Sequence, residues 1–273
     1  VLSRYLKDGC IMKVITLAQI KSSLNLKEAI ILQEEGFKLF SQGRVVVPPV
    51  GYMDLGEDRG EVHLKYGWAE EDDVFVVKMA GSFHQNTQHG LPSLQGVILV
   101  FDANSGQLKA VLEDEGFLTN MRTAIAGLIV AKYLAPKKIT AIGVVGTGMQ
   151  ARLQVQLLKE YTDCRQLWVW GRCPEKMTTY AYDMEKMGFC VHIASNTEVL
   201  CKQCNLIVTT TPSKKALIAA EAVLPGTHIT AVGADAPSKQ ELDPAIFCLA
   251  DICAVDAKSQ CLEHGESYHA HQL

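Results

Sequence analysis

The sequence predicts an α/β protein in which a doubly wound parallel sheet follows an α+β region. Three observations carry this expectation. Beyond Pro136, apolar β-type runs alternate with helical stretches, the pattern of parallel strands joined by crossover helices. At the head of that series, "AIGVVGTGMQARLQ" (141–154) breaks an apolar run with Gly-Thr-Gly and begins a helix at once. Before Pro136 the character differs: helical stretches come first, then short β-type runs, then one long helix.

Residues 1–11 precede the first methionine, Met12, and read as a leader, a cloning remnant or an extension of the gene model. Residues 14–43 read as two helices joined by "SLN", with Asn25 as a cap and Gly43 as the stop. From 44 to 115, "VHLKYGWA", "VFVVKMAG" and "GVILVFDANSGQLKAVLEDE" alternate or run apolar, and "NSG" supplies a hairpin turn. The stretch "DEGFLTNMRTAIAGLIVAKYLAP" reads as a long helix closed by Pro136. The later strands are "ITAIGVVG", "QLWVWGR", "FCVHIA", "LIVTTTP", "HITAVGAD" and "DICAVD". The expected division is an α+β domain over 1–130, to which residues 260–273 return, and a Rossmann-type domain over 131–259. The chain shows no internal repeat and no low-complexity segment.

With 273 residues, 48% hydrophobic and 21% charged, the chain can bury a sizeable core. A net charge of −4 without a basic tract gives no support to a nucleic-acid partner. No apolar run reaches the roughly 18–20 residues of a membrane helix, and the N-terminus lacks the pattern of a secretory signal. Nine cysteines at scattered positions fit reduced thiols and a cytoplasmic location. Cys201-Lys-Gln-Cys204 is the only Cys-x-x-Cys, and without a second pair it reads as two ordinary thiols near a helix end. No spacing of the eight histidines points to a metal, and His264, His269 and His271 look like an end sequence.

The glycine turn matches G-x-G-x-x-A: Gly146-Thr147-Gly148-Met149-Gln150-Ala151. Alone the match is weak, but here it follows a β-type run, opens a helix and starts an alternating series, as a dinucleotide site requires. Gly146 permits the tight turn and Gly148 lets backbone approach a pyrophosphate at the positive end of the helix. An NAD site usually carries an acid at the end of the second strand for the ribose hydroxyls; here Gly171 and Arg172 stand there. That substitution favours a 2′-phosphate, so the cofactor expected is NAD(P), leaning to NADP(H). Thr210 and Gly233, past the ends of later strands, complete the cofactor-binding candidates.

Ligands of open α/β sheets lie beyond the strands' carboxyl ends, which is where Asp235 falls, in "HITAVGADAPSKQEL". It reads either as a general acid or base or as a cap for a helix over "SKQELDPAIF". Arg122, among small and apolar neighbours in "TNMRTAIAG", suits a carboxylate anchor. Lys65 and Lys78 lie in Val- and Leu-rich strands, where a lysine either snorkels to solvent or meets an anion.

With these residues assembled, the chain from Lys13 to Glu266 resembles the ornithine cyclodeaminase/mu-crystallin family. The resemblance rests on "LTNMRTAIAGLIVAKYLAP", "GVVGTGMQARLQ", "VVKMAGSFHQNTQHGLPS" and "AVGADAPSKQELD". It implies a homodimer whose N-terminal halves form a shared β-barrel, a Rossmann domain holding NAD(P), and an amino- or imino-acid substrate. Lys78 and Arg122 fall on the family's carboxylate-holding lysine and arginine, and Asp235 on the acid that handles amine or water. Lys65 and Ser93 join them as substrate-binding candidates. Val50 stands about where many relatives carry a second cation, which Arg44, Lys65 or neither replaces. The chain also ends short of the helices that usually complete the first domain. Three activities are implied: an NAD(P)H-dependent imine reductase or amino-acid dehydrogenase, an ornithine cyclodeaminase that recycles NAD while making proline and ammonia, and a non-catalytic NADPH-binding protein of the mu-crystallin kind.

Overall fold

The computed structural model describes residues 12–56, 59–236 and 238–272. The chain divides into two compact units, Val1–Met121 and Arg122–Leu273. The boundary between the units precedes the expected break at 130/131, both lying within the long helix, and residues 260–273, expected to return to the first unit, belong to the second.

Among the described residues, the first unit is a seven-stranded sheet in the order β1-β7-β6-β5-β4-β2, with β3 also on β4. A short strand β1 (Lys13–Thr16) precedes helices α1 (Leu17–Ser23) and α2 (Leu26–Ser41). The sequence reading had put a helix where β1 lies; instead those residues take the edge position parallel to β7. Asn25 caps α2 as expected, accepting the N–H groups of Lys27 and Glu28, and Gly43 ends it at φ 74°. Then follow β2 (Val45–Val46), β3 (Gly51–Asp54), β4 (Glu61–Ala69), β5 (Val74–Ser82), β6 (Leu94–Asp102) and β7 (Leu108–Glu113). The "NSG" turn joins β6 to β7, its N–H groups held by the Asp102 carboxylate.

Strand register sorts this sheet's side chains by face, because directly opposed residues share one. Val46, Met53, Leu64, Tyr66, Trp68 and Met79 lie on one face, and all six are exposed. The other face carries Tyr52, Glu61, His63, Lys65 and Lys78 beside the small Ala80 and Gly96.

Helix α3 (Phe117–Leu134) is preceded by Asp114, whose carboxylate takes the Leu118 N–H, and buries Ala124, Ile125, Leu128 and Ala131. Strand β8 (Ile142–Val145), helix α4 (Met149–Leu158), β9 (Gln166–Trp170), α5 (Pro174–Lys186), β10 (Cys190–Ile193), α6 (Thr197–Gln203), β11 (Leu206–Thr209), β12 (Lys214–Ile218), β13 (His228–Ala231) and β14 (Gln240–Leu242) follow. The parallel sheet runs β10-β9-β8-β11-β13, the doubly wound order, and its fully buried β8 and β11 read as continuous apolar runs. Helices α7 (Ile246–Leu249), α8 (Lys258–Cys261) and α9 (Glu266–His271) close the chain.

Two expectations need correction here. "DICAVD" is not a strand: Ile252 and Val255 are exposed, and the run has no sheet face to cover. "SKQELDPAIF" is not one helix: residues 240–242 form β14, which pairs with β12. Asp235 therefore caps no helix.

Candidate active site

Strand β8 lies between β9 and β11, so the chain leaves it at the topological switch point of the sheet. There Gly146 takes φ 117°, and a Cβ on it would stand 2.5 Å from Thr210 Oγ1. Gly148, the N-cap of α4, has ordinary φ (−83°), no side chain to cap the helix, and open space within 4 Å of where its Cβ would be. The N-terminus of α4 thus has open space beside its capping glycine. A pyrophosphate fits such a cradle, since helix N-terminal N–H groups favour anions.

Thr147, Met149 and Gln150 surround the turn; Met149 is exposed, and Gln150 accepts a bond from Gln154. Arg152 was missed by the sequence reading, in which a first-turn arginine carries no signal. Its guanidinium pairs with Asp183 of α5 (2.6 and 3.1 Å), reaches the carbonyls of Thr147 and Gly148, and stacks on Tyr180. A cation there opposes the helix dipole, and these acceptors offset that cost while bracing the turn.

At the ribose end, Gly171 is closed against Thr147, whose Cγ2 would lie 3.0 Å from an added Cβ. Arg172 follows and is exposed, and no acid stands between Gln166 and Cys173. The next acid, Glu175, accepts the Cys173 thiol in the first turn of α5.

The ends of β11 and β13 come together beside the turn. Thr210 donates its N–H and hydroxyl to the Val145 carbonyl (3.0 and 3.3 Å), tying its loop to the end of β8. Gly233 has no room for a side chain: its Cβ would lie 2.4 Å from Thr211 N and O. Under both loops sits Glu241, fully buried, another residue missed by sequence. Burial pushes its carboxyl up to about 7, against hydrogen bonds from Thr211, Thr209 and Gly233 that pull the other way. In the sequence it is one acid inside a stretch that reads as helix, indistinguishable from a solvated one.

Asp235 lies past the end of β13, more than half exposed, and accepts Lys239 Nζ at 2.6 Å. Arg122, at the start of the second unit, keeps solvent-accessible surface, yet enough protein surrounds it for desolvation to lower its pKa. Asp256 and Asp235 act in the opposite direction, which places Arg122 within electrostatic reach of both acids. Asp256, in the run misread as a strand, is a third residue missed by sequence.

In the first unit, Lys65 and Lys78 are directly opposite across β4 and β5. Like charges so placed repel, an arrangement suited to a carboxylate ligand. His63, two residues from Lys65 on the same face, tilts against Tyr52 at 5.1 Å between rings. The structure does not bring Ser93 to this pair. Its carbonyl accepts the Phe83 N–H, and Phe83 lies five residues beyond Lys78, on the order of 16 Å at strand rise. Arg44 is held by Glu70 and Glu71, which leaves Lys65 as the cation nearest Lys78 in register. Val50, as expected, supplies no charge.

Cys201 and Cys204 are buried free thiols, both pushed up by desolvation, and no metal-holding cluster occurs among the described residues. No helix among the described residues is long and apolar enough to cross a membrane.

Three comparisons place this geometry. A profile of the ornithine cyclodeaminase/mu-crystallin family matches residues 12–272. A putative dehydrogenase of Rhizobium meliloti is 35% identical over 261 residues, covering 95% of this chain and 79% of that protein. Among solved structures, an archaeal alanine dehydrogenase dimer with bound NAD superposes with a TM-score of 0.87 at 31% identity, covering 96% of this chain and 79% of that one. The Δ1-pyrroline-2-carboxylate reductase of Thermococcus litoralis, in complex with NADH and L-proline, gives a TM-score of 0.87 at 25% identity, with 95% and 80% covered.

Proposed function

The chain belongs to the ornithine cyclodeaminase/mu-crystallin family, and from that premise we propose that it is an NAD(P)H-dependent reductase of imines derived from small 2-oxo acids, running in reverse as an amino-acid dehydrogenase. The observation that carries this reading lies within one unit. The glycine turn, the exposed Asp235 and the cation Arg122 in its field all belong to the doubly wound unit, whose switch point is the expected place for a dinucleotide.

In this reading Gly146, Thr147, Gly148, Met149 and Gln150 hold the pyrophosphate against the amides of α4, with Thr210 and Gly233 flanking. The bound nicotinamide supplies or accepts a hydride at the substrate's α-carbon. In the second unit Arg122 is a charge-assisted partner for the substrate carboxylate, and in the first unit Lys78, with Lys65 beside it in register, offers cations suited to a carboxylate. Asp235 holds or moves the proton at the substrate nitrogen. Lys239, bonded to it, keeps the carboxylate oriented until substrate arrives.

Arg172 without a carboxylate supports NADP(H) as the preferred cofactor, its guanidinium taking the 2′-phosphate. The six exposed apolar side chains on one face of the first unit's sheet support a homodimer formed through that face, with this unit serving dimerisation and substrate binding.

Two parallel assays test the activity. The first offers NADPH or NADH with ammonium or methylamine and a panel of 2-oxo acids; the second offers ornithine with trace NAD. Cofactor oxidation in the first, with no proline in the second, is the result expected. Proline without net absorbance change would make the protein a cyclodeaminase instead, and bound cofactor with silence in both would make it a carrier.

A further inference from the structure

Neighbouring strands β11 and β13 share a regular ladder up to the bond from Val232 N–H to Thr209 O (3.1 Å). Past that point the ladder ends while the loops stay packed together, and the amides of Thr211 and Gly233 both turn toward one buried place. Glu241 fills it. One carboxylate oxygen accepts Thr211 N–H at 2.5 Å, and the other accepts Gly233 N–H at 2.9 Å and the Thr209 hydroxyl at 2.8 Å. No part of Glu241 reaches solvent.

The strand that carries it is itself held by an acid. Glu266 of α9 accepts the N–H groups of Glu241 (2.6 Å) and Leu242 (3.0 Å). The same segment touches the Asp235 turn twice more: His269 Nε2 lies 2.8 Å from Lys239 O, and Gly265 packs so that a Cβ would stand 2.7 Å from Ala234 O. Two buried carboxylates in series therefore run from α9 through β14 to the loops bearing Thr210 and Asp235.

We infer that Glu241 is a positioning residue of the reaction, its carboxylate setting the height of the Thr210 and Asp235 loops over the cofactor, with Glu266 fixing the strand behind it. The inference rests on the cofactor and acid assignments proposed above. A buried carboxylate is a costly way to tie two loops unless its acceptor-only character is needed. Here three donors converge on two oxygens. An amide at the same place sets its NH2 against a backbone N–H, so shape alone does not replace the charge. Among the described residues, the groups donating to the carboxylate are neutral: Thr209, Thr211 and Gly233. Glu266, reached through the β14 backbone, is the other titratable group in this chain of bonds. Desolvation brings Glu241 near neutrality, so its ionisation falls inside a measurable range.

The test compares the parent protein with Glu241→Gln and Thr209→Val, measuring NADH affinity by fluorescence from pH 5.5 to 8.5, steady-state kcat and KM, and Tm. Thr209→Val keeps shape and removes one donor to the carboxylate, and donors to an ionised acid lower its pKa. The expected result is a pH midpoint for NADH affinity that moves upward in Thr209→Val. kcat is expected to fall about tenfold with Tm held within a few degrees, and Glu241→Gln should flatten the pH dependence. A midpoint unmoved by Thr209→Val overturns the inference, and so does a loss of affinity that tracks Tm. Should Glu241→Gln fail to fold, Thr209→Val decides alone. The fluorescence arm needs no substrate. If no imine or amino acid turns over, the proposed activity falls while the positioning role is still read from cofactor affinity.

Discussion

Gly148 and Gly146 stand two residues apart in one turn, yet alanine at each should do opposite things. At Gly148 a methyl enters open space at ordinary φ, with nothing within 4 Å. The change from Gly to Ala at an N-cap costs the fold up to about 1 kcal/mol, a Tm shift within roughly 4 °C for a protein of this size. The cost to cofactor binding is larger. A pyrophosphate hydrogen-bonded to the first amides of α4 must come within about 3 Å of backbone, and a projecting methyl forces it outward. Losing one or two charge-assisted bonds of about 1.5–3 kcal/mol each amounts to roughly 3 kcal/mol, or about a 100-fold weaker Kd. At Gly146 the methyl meets Thr210 Oγ1 at 2.5 Å on a residue at φ 117°. Backbone strain and overpacking together cost the fold about 2–4 kcal/mol, a Tm loss of roughly 5–15 °C. The assay is a pair of measurements on each variant: NADH fluorescence titration and thermal unfolding. A Gly148→Ala protein that binds NADH within threefold of the parent, or that loses as much Tm as Gly146→Ala, refutes the assignment of this turn as the phosphate cradle.

Four further outcomes follow from the same structure. Asp235→Asn should retain cofactor affinity and lose about 10²–10⁴ in kcat, measured under saturating cofactor; a loss below tenfold removes it from proton handling. Arg152→Ala should lower stability by about 1–2 kcal/mol in urea titration, because the half-exposed Asp183 pair and the two carbonyl contacts go together. The pH dependence of stability has two opposed parts. Burial holds Glu241 near 7, so the fold binds its proton more tightly than the unfolded chain, and this group's contribution is lost as pH rises from about 4.5 through 7. Burial holds His228 near 4, so its contribution is present above about 6.5 and lost as pH falls toward 4; His228→Gln should keep more stability at pH 5 than the parent, relative to pH 7.5. Finally, Leu64→Glu with Met79→Glu, opposed on the exposed apolar face, should convert a dimer to a monomer in light scattering, and a dimer that persists would place the interface elsewhere.

The parts of this molecule legible in the sequence are those where local chemistry and tertiary packing agree. Asn25, Gly43 and "NSG" act through their own neighbours, and they cap, stop and turn as expected. The glycine turn carries its meaning in φ and in missing atoms, and its place between a β-type run and a helix exposed it. Where tertiary partners decide, the pattern misled. Lys13–Thr16 became an edge strand because β7 offered one, and residues 240–242 left the helical reading because β12 and the Glu241 pocket claimed them. Residues 260–273 stay with the second unit because Glu266 and His269 find their partners on β14 and Lys239. Arg152, Glu241 and Asp256 looked like any solvated charge, since what distinguishes them is a partner 30 residues or more away, or the field of another element. Ser93 shows the limit of motif reading, since it pairs with Phe83 and not with the lysine that shares its motif.

The reductive account is tested most directly by the fate of the hydride. Incubation with 4-deuterated NADPH or NADH, a 2-oxo acid and an amine should give an amino acid carrying one deuterium at its α-carbon, read by mass spectrometry, in step with cofactor oxidised. An α-carbon without deuterium, alongside proline formed from ornithine at constant cofactor absorbance, would contradict it.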